Sequence, residues 1–166
     1  MGPYGSGWGS AYVFRTSDGW NTYTDIKLTQ AHKPGFDDRF GVSVAIDGGT
    51  VVVGASGAAW MSTGEVYVFR TTDGGATYDQ VARLAPSDAG SGDLFGTFSL
   101  SFGSFVAIAG NTVVVGAYGD VLGTRTSGYD KYWGSAYVFR TSDGATYVQV
   151  AKLTAADAAV YDRFGW

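Results

Sequence analysis

Gly9-Ser10-Ala11-Tyr12-Val13-Phe14-Arg15-Thr16-Ser17-Asp18 returns, letter for letter, as Gly134-Ser135-Ala136-Tyr137-Val138-Phe139-Arg140-Thr141-Ser142-Asp143. A looser copy, Gly64-Glu65-Val66-Tyr67-Val68-Phe69-Arg70-Thr71-Thr72-Asp73, lies between them. Recurrence of this kind marks a repeat architecture, in which each copy is one supersecondary unit stacked on the next. Tyr-Val-Phe is made of strand formers, and the Asp-Gly that follows is turn chemistry. Each copy therefore reads as a strand running into a hairpin turn.

Working outward, each turn leads through Thr-Tyr into a second short strand, Tyr23 to Leu28, Tyr78 to Leu84 and Tyr147 to Leu153. Upstream of the second and third copies stands Val-Val-Val-Gly-Ala, at Val51 to Ala55 and Val113 to Ala117. Before these come Phe40-Gly41 and Phe102-Gly103, while Phe164-Gly165 opens what would be a further round. An extra Phe95-Gly96 duplicates the element in the longer third round, but only Phe102 stands at the spacing from the valines that Phe40 has. Phe40 to Ile46 alternates large residues with Gly41, Ser43 and Ala45, and Asp47-Gly48-Gly49-Thr50 is a tight hairpin turn.

A full unit thus has four strands: Phe40–Ile46, Val51–Ala55, Glu65–Arg70 and Tyr78–Leu84, then Ser104–Ala109, Val113–Ala117, Ser135–Arg140 and Tyr147–Leu153. The chain opens on strands three and four alone, Ser10–Arg15 and Tyr23–Leu28. This divides it into a half unit over 1–35, a full unit over 36–86, a full unit with insertions over 87–155, and a connector with the stub Phe164-Gly165-Trp166 over 156–166. The insertion between Gly119 and Trp133 belongs in a surface loop.

Composition agrees with an all-β chain. One glutamate stands against fourteen aspartates, six leucines against eighteen valines, and there are 26 glycines. Helix formers are scarce and strand and turn formers abundant. Hydrophobic residues make up 45% of the 166, enough for a real core, and only 16% are charged. A net charge of −4 with scattered basic residues argues against nucleic acid. There is no cysteine, so there is no disulfide framework and no thiolate chemistry. No apolar run reaches the roughly 18 residues of a membrane helix. No signal peptide is visible before Gly5, which leaves an upstream start or another export route.

Four-stranded units with Phe-Gly opening one strand and Val-Gly-Ala closing the next resemble FG-GAP repeats, the blade repeat of the integrin alpha-chain β-propeller and of many secreted proteins. The resemblance rests on Phe40-Gly41 with Val53-Gly54-Ala55 and on Phe102-Gly103 with Val115-Gly116-Ala117, each followed by Tyr-Val-Phe. The family's proline after Gly-Ala is replaced by Ser56 and Tyr118. The turns around Asp18, Asp73 and Asp143 also resemble the Asp-box of sialidase-like propellers. The first resemblance implies about 2.5 propeller-type blades, not closed by one chain, with a compact β-sandwich as the alternative. It also implies an extracellular or cell-surface location.

The calcium that many such blades carry between strands one and two does not transfer, because Asp47-Gly48-Gly49 and Ala109-Gly110-Asn111 lack the several oxygen ligands it needs. No cofactor is expected. Asp88 and Asp93, in one Gly/Ser loop, are the remaining cation candidates, against a reading as solvated loop acids. Asp18, Asp73 and Asp143 read as turn residues, and Arg15, Arg70 and Arg140 as each pairing with a local aspartate or carbonyl. His32, the single histidine, has no nucleophile motif beside it, and no aspartate pair stands out as a glycosidase couple. The chain is accordingly read as a non-enzyme. Tyr118, Tyr129, Tyr132 and Trp133 of the long loop suit glycan or protein contacts, or else cover the end of a blade.

The ends raise the sharpest functional expectation. A half unit and a stub leave strand edges and apolar faces without partners. The chain is thus expected to bind other copies head to tail, through Tyr12 and Phe14 on one side and Phe164, Gly165 and Trp166 on the other, or to be an excerpt of a longer adhesin. Alternatives are a lectin-like carbohydrate-binding module, whose partners would be glycans or cell-surface proteins, and part of a secreted hydrolase.

Overall fold

The computed structural model describes residues 9–31, 39–56, 63–88, 102–120 and 133–166. Among them are ten strands and no helix. β1 (Ala11–Arg15) and β2 (Thr24–Leu28) form a two-stranded antiparallel sheet. β3 (Phe40–Asp47), β4 (Thr50–Ala55), β5 (Glu65–Arg70) and β6 (Asp79–Leu84) form a four-stranded meander in chain order. β7 (Phe105–Ala109), β8 (Thr112–Ala117), β9 (Ser135–Thr141) and β10 (Tyr147–Leu153) form another. No sheet closes into a barrel, and the arrangement is that of partial propeller blades. None of the described helices could cross a membrane, since there are none.

The two full sheets share one register. Val51 stands opposite Phe69 and Val53 opposite Tyr67, as Val113 stands opposite Phe139 and Val115 opposite Tyr137. The last strand of each full sheet carries a register shift at its Gln-Val-Ala, Gln80 to Ala82 and Gln149 to Ala151. Alternate side chains leave each sheet on opposite faces, and both faces of the middle sheet are used. Val51, Val53, Ala55, Tyr67 and Phe69 pack with Phe40 on Ala11, Val13 and Leu28 of the half unit. Val52, Val66, Val68 and Leu84 pack on Phe102, Val113, Val115, Ala117, Tyr137 and Phe139 of the last unit. The core is therefore two interfaces between sheets, and each fully covered Val or Phe contributes about 1.5–3 kcal/mol to one of them.

The Phe-Gly element is the joint. The Phe40 ring packs edge-on against Tyr67 and Phe69 of its own unit, and Phe102 does the same with Tyr137 and Phe139. Their backbones are grafted onto the preceding unit. Phe40 forms a parallel bridge to Gly9, and the Phe102 N–H donates to the Thr63 carbonyl at 3.2 Å. Phe164 repeats this on Trp133 and Gly134. The glycine of Val-Gly-Ala has its reason here: Gly54 and Gly116 lie under the carbonyls of Gly103 and Gly165, where any Cβ would collide with backbone.

Candidate functional site

The Asp-Gly turns are built to hold themselves. Asp73 accepts from the N–H groups of Ala76 and Thr77 and from both threonine hydroxyls, Thr71 and Thr77. Asp143 accepts from Ala145, Thr146 and the Thr141 hydroxyl, and Asp18 from the Thr22 N–H and the Thr16 and Thr22 hydroxyls. These bonds favour the carboxylate. The Thr22 backbone N–H leads in drawing Asp18 down to about 2, and the Thr77 and Thr146 N–H groups lead in holding Asp73 and Asp143 lower still. Their oxygens are occupied by the turn.

The strand-three arginines behave otherwise than expected. Arg70 Nη1 donates to the Asp143 carbonyl of the following unit at 3.4 Å. Arg15 lies over Gly75, where a Cβ would come within 3.0 Å of its Nε. A guanidinium is long enough to cross the gap between stacked sheets, so the partner is the next unit's turn and not a local group.

Asp88 sits beside Lys152 and accepts from the Tyr137 hydroxyl at 3.0 Å. Lys152 also reaches buried Asp120 at 2.7 Å, and Ser135 Oγ donates to that carboxylate. Burial pushes the Tyr137 hydroxyl well up. Burial alone would lower Lys152, but hydrogen bonds to Asp120 and Asp88 carry it well above its ordinary value. Asp88 is thus engaged with a lysine, and Asp93 lies outside the described residues. Among the described residues no group of three or more His, Cys, Asp or Glu side chains could hold a metal ion. In the middle unit the same place is filled differently: Glu65 accepts from the Tyr67 hydroxyl and pairs with Arg83 at 3.2 Å.

Of the loop aromatics, Tyr129 and Tyr132 lie outside the described residues. Tyr118 meets Trp166 at a tilt, 4.7 Å between ring centres, and Trp166 also meets Phe105 at 5.8 Å and lies under the Arg163 guanidinium at 5.4 Å. Trp133 contributes backbone, donating to the Asp120 carbonyl and accepting from the Phe164 N–H.

Among the described residues, both end faces leave large apolar side chains open. Tyr12 and Phe14 are 47% and 51% exposed, while their counterparts Tyr67 and Phe69 are both 1% exposed. Phe164 is 37% exposed, against 4% for Phe40 and 0% for Phe102. Leu153, Val148 and Val150 lie open on the last sheet, whereas Leu84 is buried. A groove of about 360 Å³ beside the first end is lined by Arg15 to Ser17 and Thr22 to Thr24.

One device went unnoticed in the sequence. The Ala31 N–H donates to Gln80 of the next unit at 2.8 Å, and the Ser87 N–H donates to Gln149 at 2.9 Å. Both donors stand three residues past the strand-four leucine, and Gln-Val-Ala recurs at the acceptor, which was the available signal.

The family model described as FG-GAP repeat matches residues 27–69 and 78–139, more than half of the chain. Compared with curated proteins, the chain finds no match. With its Phe-Gly and Val-Gly-Ala words seated at the joints between sheets, this propeller-type chain belongs to the FG-GAP repeat family.

Proposed function

We propose that the chain is a non-enzymatic, extracellular structural or adhesive module that takes further units of its own repeat at both ends, head to tail, as a self-assembling copy or as a section of a longer adhesin. The observation that carries this reading is the change in burial of equivalent residues. Tyr67, Phe69, Tyr137 and Phe139 are covered by a preceding sheet, and Tyr12 and Phe14 are not. The opposite end presents Leu153, Val148 and Val150 together with Phe164, whose counterparts Phe40 and Phe102 each sit on a Tyr/Phe pair. The two ends are thus the two halves of an interface the chain already makes twice. Because they differ, the contact propagates instead of closing into a two-fold dimer. The reach of Arg70 into the next turn makes Arg140 the cation for the turn at Asp18.

Light scattering and negative-stain imaging test the reading. The wild-type chain is expected to grow in mass with concentration, and Phe164→Asp to stay small with its sheets intact. A wild-type chain that remains a folded monomer at high concentration overturns it.

A second reading rests on exposed Trp166 and Phe105, with half-buried Tyr118 and the Arg163 guanidinium beside Trp166. Aromatic faces with one polar neighbour suit sugar rings. A glycan array probed with wild type and Trp166→Ala decides: binding lost in the variant supports a lectin-like role.

A further inference from the structure

One amine of the last unit is held by two acids at once. Lys152 Nζ lies 2.7 Å from Asp120 Oδ2 and within hydrogen-bond reach of Asp88 Oδ2. The Asp120 side chain is 8% exposed and that of Lys152 28%. Ser135 Oγ donates to the same Asp120 oxygen, and the Tyr137 hydroxyl donates to the other oxygen of Asp88 at 3.0 Å. The Tyr137 ring covers the amine from one side, 5.2 Å away. A primary amine therefore touches a buried carboxyl group, with a second carboxyl beside it and a hydroxyl donor on the contacted oxygen.

The middle unit lacks this arrangement at the same places. Arg83 stands opposite Tyr67 as Lys152 stands opposite Tyr137, and Glu65 stands opposite Ala55 as Ser135 stands opposite Ala117. There Glu65 takes both the tyrosine hydroxyl and the guanidinium. A guanidinium stays protonated in proteins and is no nucleophile. One acid within the sheet suffices for that pairing. The last unit instead brings two acids from outside its third strand, Asp88 from beyond β6 and Asp120 from beyond β8, onto an amine.

We infer that Lys152 and Asp120 condense into an intramolecular isopeptide bond, with Asp88 relaying protons. The ion pairs described above are its precursor. Burial favours the neutral amine, and hydrogen bonds to Asp120 and Asp88 outweigh it and keep the ammonium charged in that precursor. The step is therefore slow, and it starts when Asp88 takes a proton from Nζ. Nζ then attacks Asp120 Cγ. The Nζ–Cγ bond forms and the Cγ–Oδ2 bond breaks. The two protons lost by nitrogen leave on that oxygen as water, passed through Asp88, which ends as a carboxylate again. No oxidant or further reactant enters. Amine and acid held in contact react as if at about 10⁵ M or more, which offsets the cost of forming an amide in water.

The test is the mass of the intact, denatured full-length chain after prolonged incubation at neutral pH. The wild type is expected one water lighter than its sequence, and Lys152→Arg and Asp120→Ala at full mass. Trypsin is expected to leave a branched peptide joining 84–125 to 141–163, and fragmentation to place the branch on Asp120. Asp88→Asn is expected to form the bond at least tenfold more slowly, with circular dichroism unchanged. A wild-type chain that stays at full mass overturns the inference. So does a loss of water that persists in Lys152→Arg, which would mark a succinimide at an Asp-Gly turn, or a branch on Asp88. Bond formation at the wild-type rate in Asp88→Asn overturns the relay.

Discussion

The same ten residues occur twice in this chain and meet opposite fates. Gly9 to Asp18 and Gly134 to Asp143 have one sequence, and each runs as a strand into a turn, Ala11–Arg15 in the first copy and Ser135–Thr141 in the second. In the second copy the Tyr137 and Phe139 rings are sealed between two sheets, while in the first Tyr12 and Phe14 stand in solvent. The basic residue over the tyrosine follows the same division. Lys27 lies 5.9 Å above Tyr12 with no carboxylate partner described, and Lys152 lies 5.2 Å above Tyr137 and is fixed by Asp88 and Asp120. Local sequence sets the strand, and the neighbouring sheet sets how much each side chain contributes.

The widest separation between the copies is expected on truncating the phenylalanines. Phe139→Ala empties a buried site against Phe102 and should cost about 3–5 kcal/mol. Phe14→Ala, at an open face, should change stability by about 0.5 kcal/mol or less. Urea unfolding of the two variants at low protein concentration measures both. Equal costs would mean that Phe14 is covered in solution.

The lysines should part by less. Lys152→Met leaves the buried Asp120 carboxylate short of its cation, a loss of about 1–3 kcal/mol. Lys27→Met removes only an exposed cation–π contact worth about 0.5–1 kcal/mol. Thermal melts at neutral pH compare them. The double variant Lys152→Met with Asp120→Asn should recover part of the loss, because the buried carboxylate charge is removed together with the cation.

Least separation is expected at the turn aspartates, exposed in both copies. Their pKa values are depressed on folding, so the stabilisation is complete above the ordinary value of 3.8 and fades as pH falls through the folded value, about 2 for Asp18 and lower for Asp143. Melting curves between pH 5 and pH 2 should show a weaker acid dependence in Asp18→Asn and in Asp143→Asn, by similar amounts. A larger effect in one would show that its turn also takes part in a contact between units.

Much of the fold was legible because the repeat words are local chemistry. Asp47-Gly48-Gly49-Thr50 does turn, with Gly48 at a φ of 54°, and the strands begin and end within about two residues of their sequence signals. Phe102 was identifiable as a joint from its distance to the valines, and it is fully buried, while the duplicate at Phe95 lies outside the described residues. The site was less legible. Nothing near Arg70 says that it will cross to Asp143, 73 positions away, and nothing near Lys152 names Asp88 and Asp120 as its partners. Such contacts depend on how far apart two sheets stand and which loop passes between them.

By itself the sequence determined the all-β class, the unit of four strands, the turn positions and the words that join one unit to the next. It could do so because strand propensity, Asp-Gly turn geometry and the need for glycine under a backbone carbonyl act over a few residues. Only the tertiary structure decided which copies of a word are core and which are surface. Burial belongs to a pair of facing sheets, and a chain that writes the same residues on an inner and an outer sheet cannot record there which one will be covered.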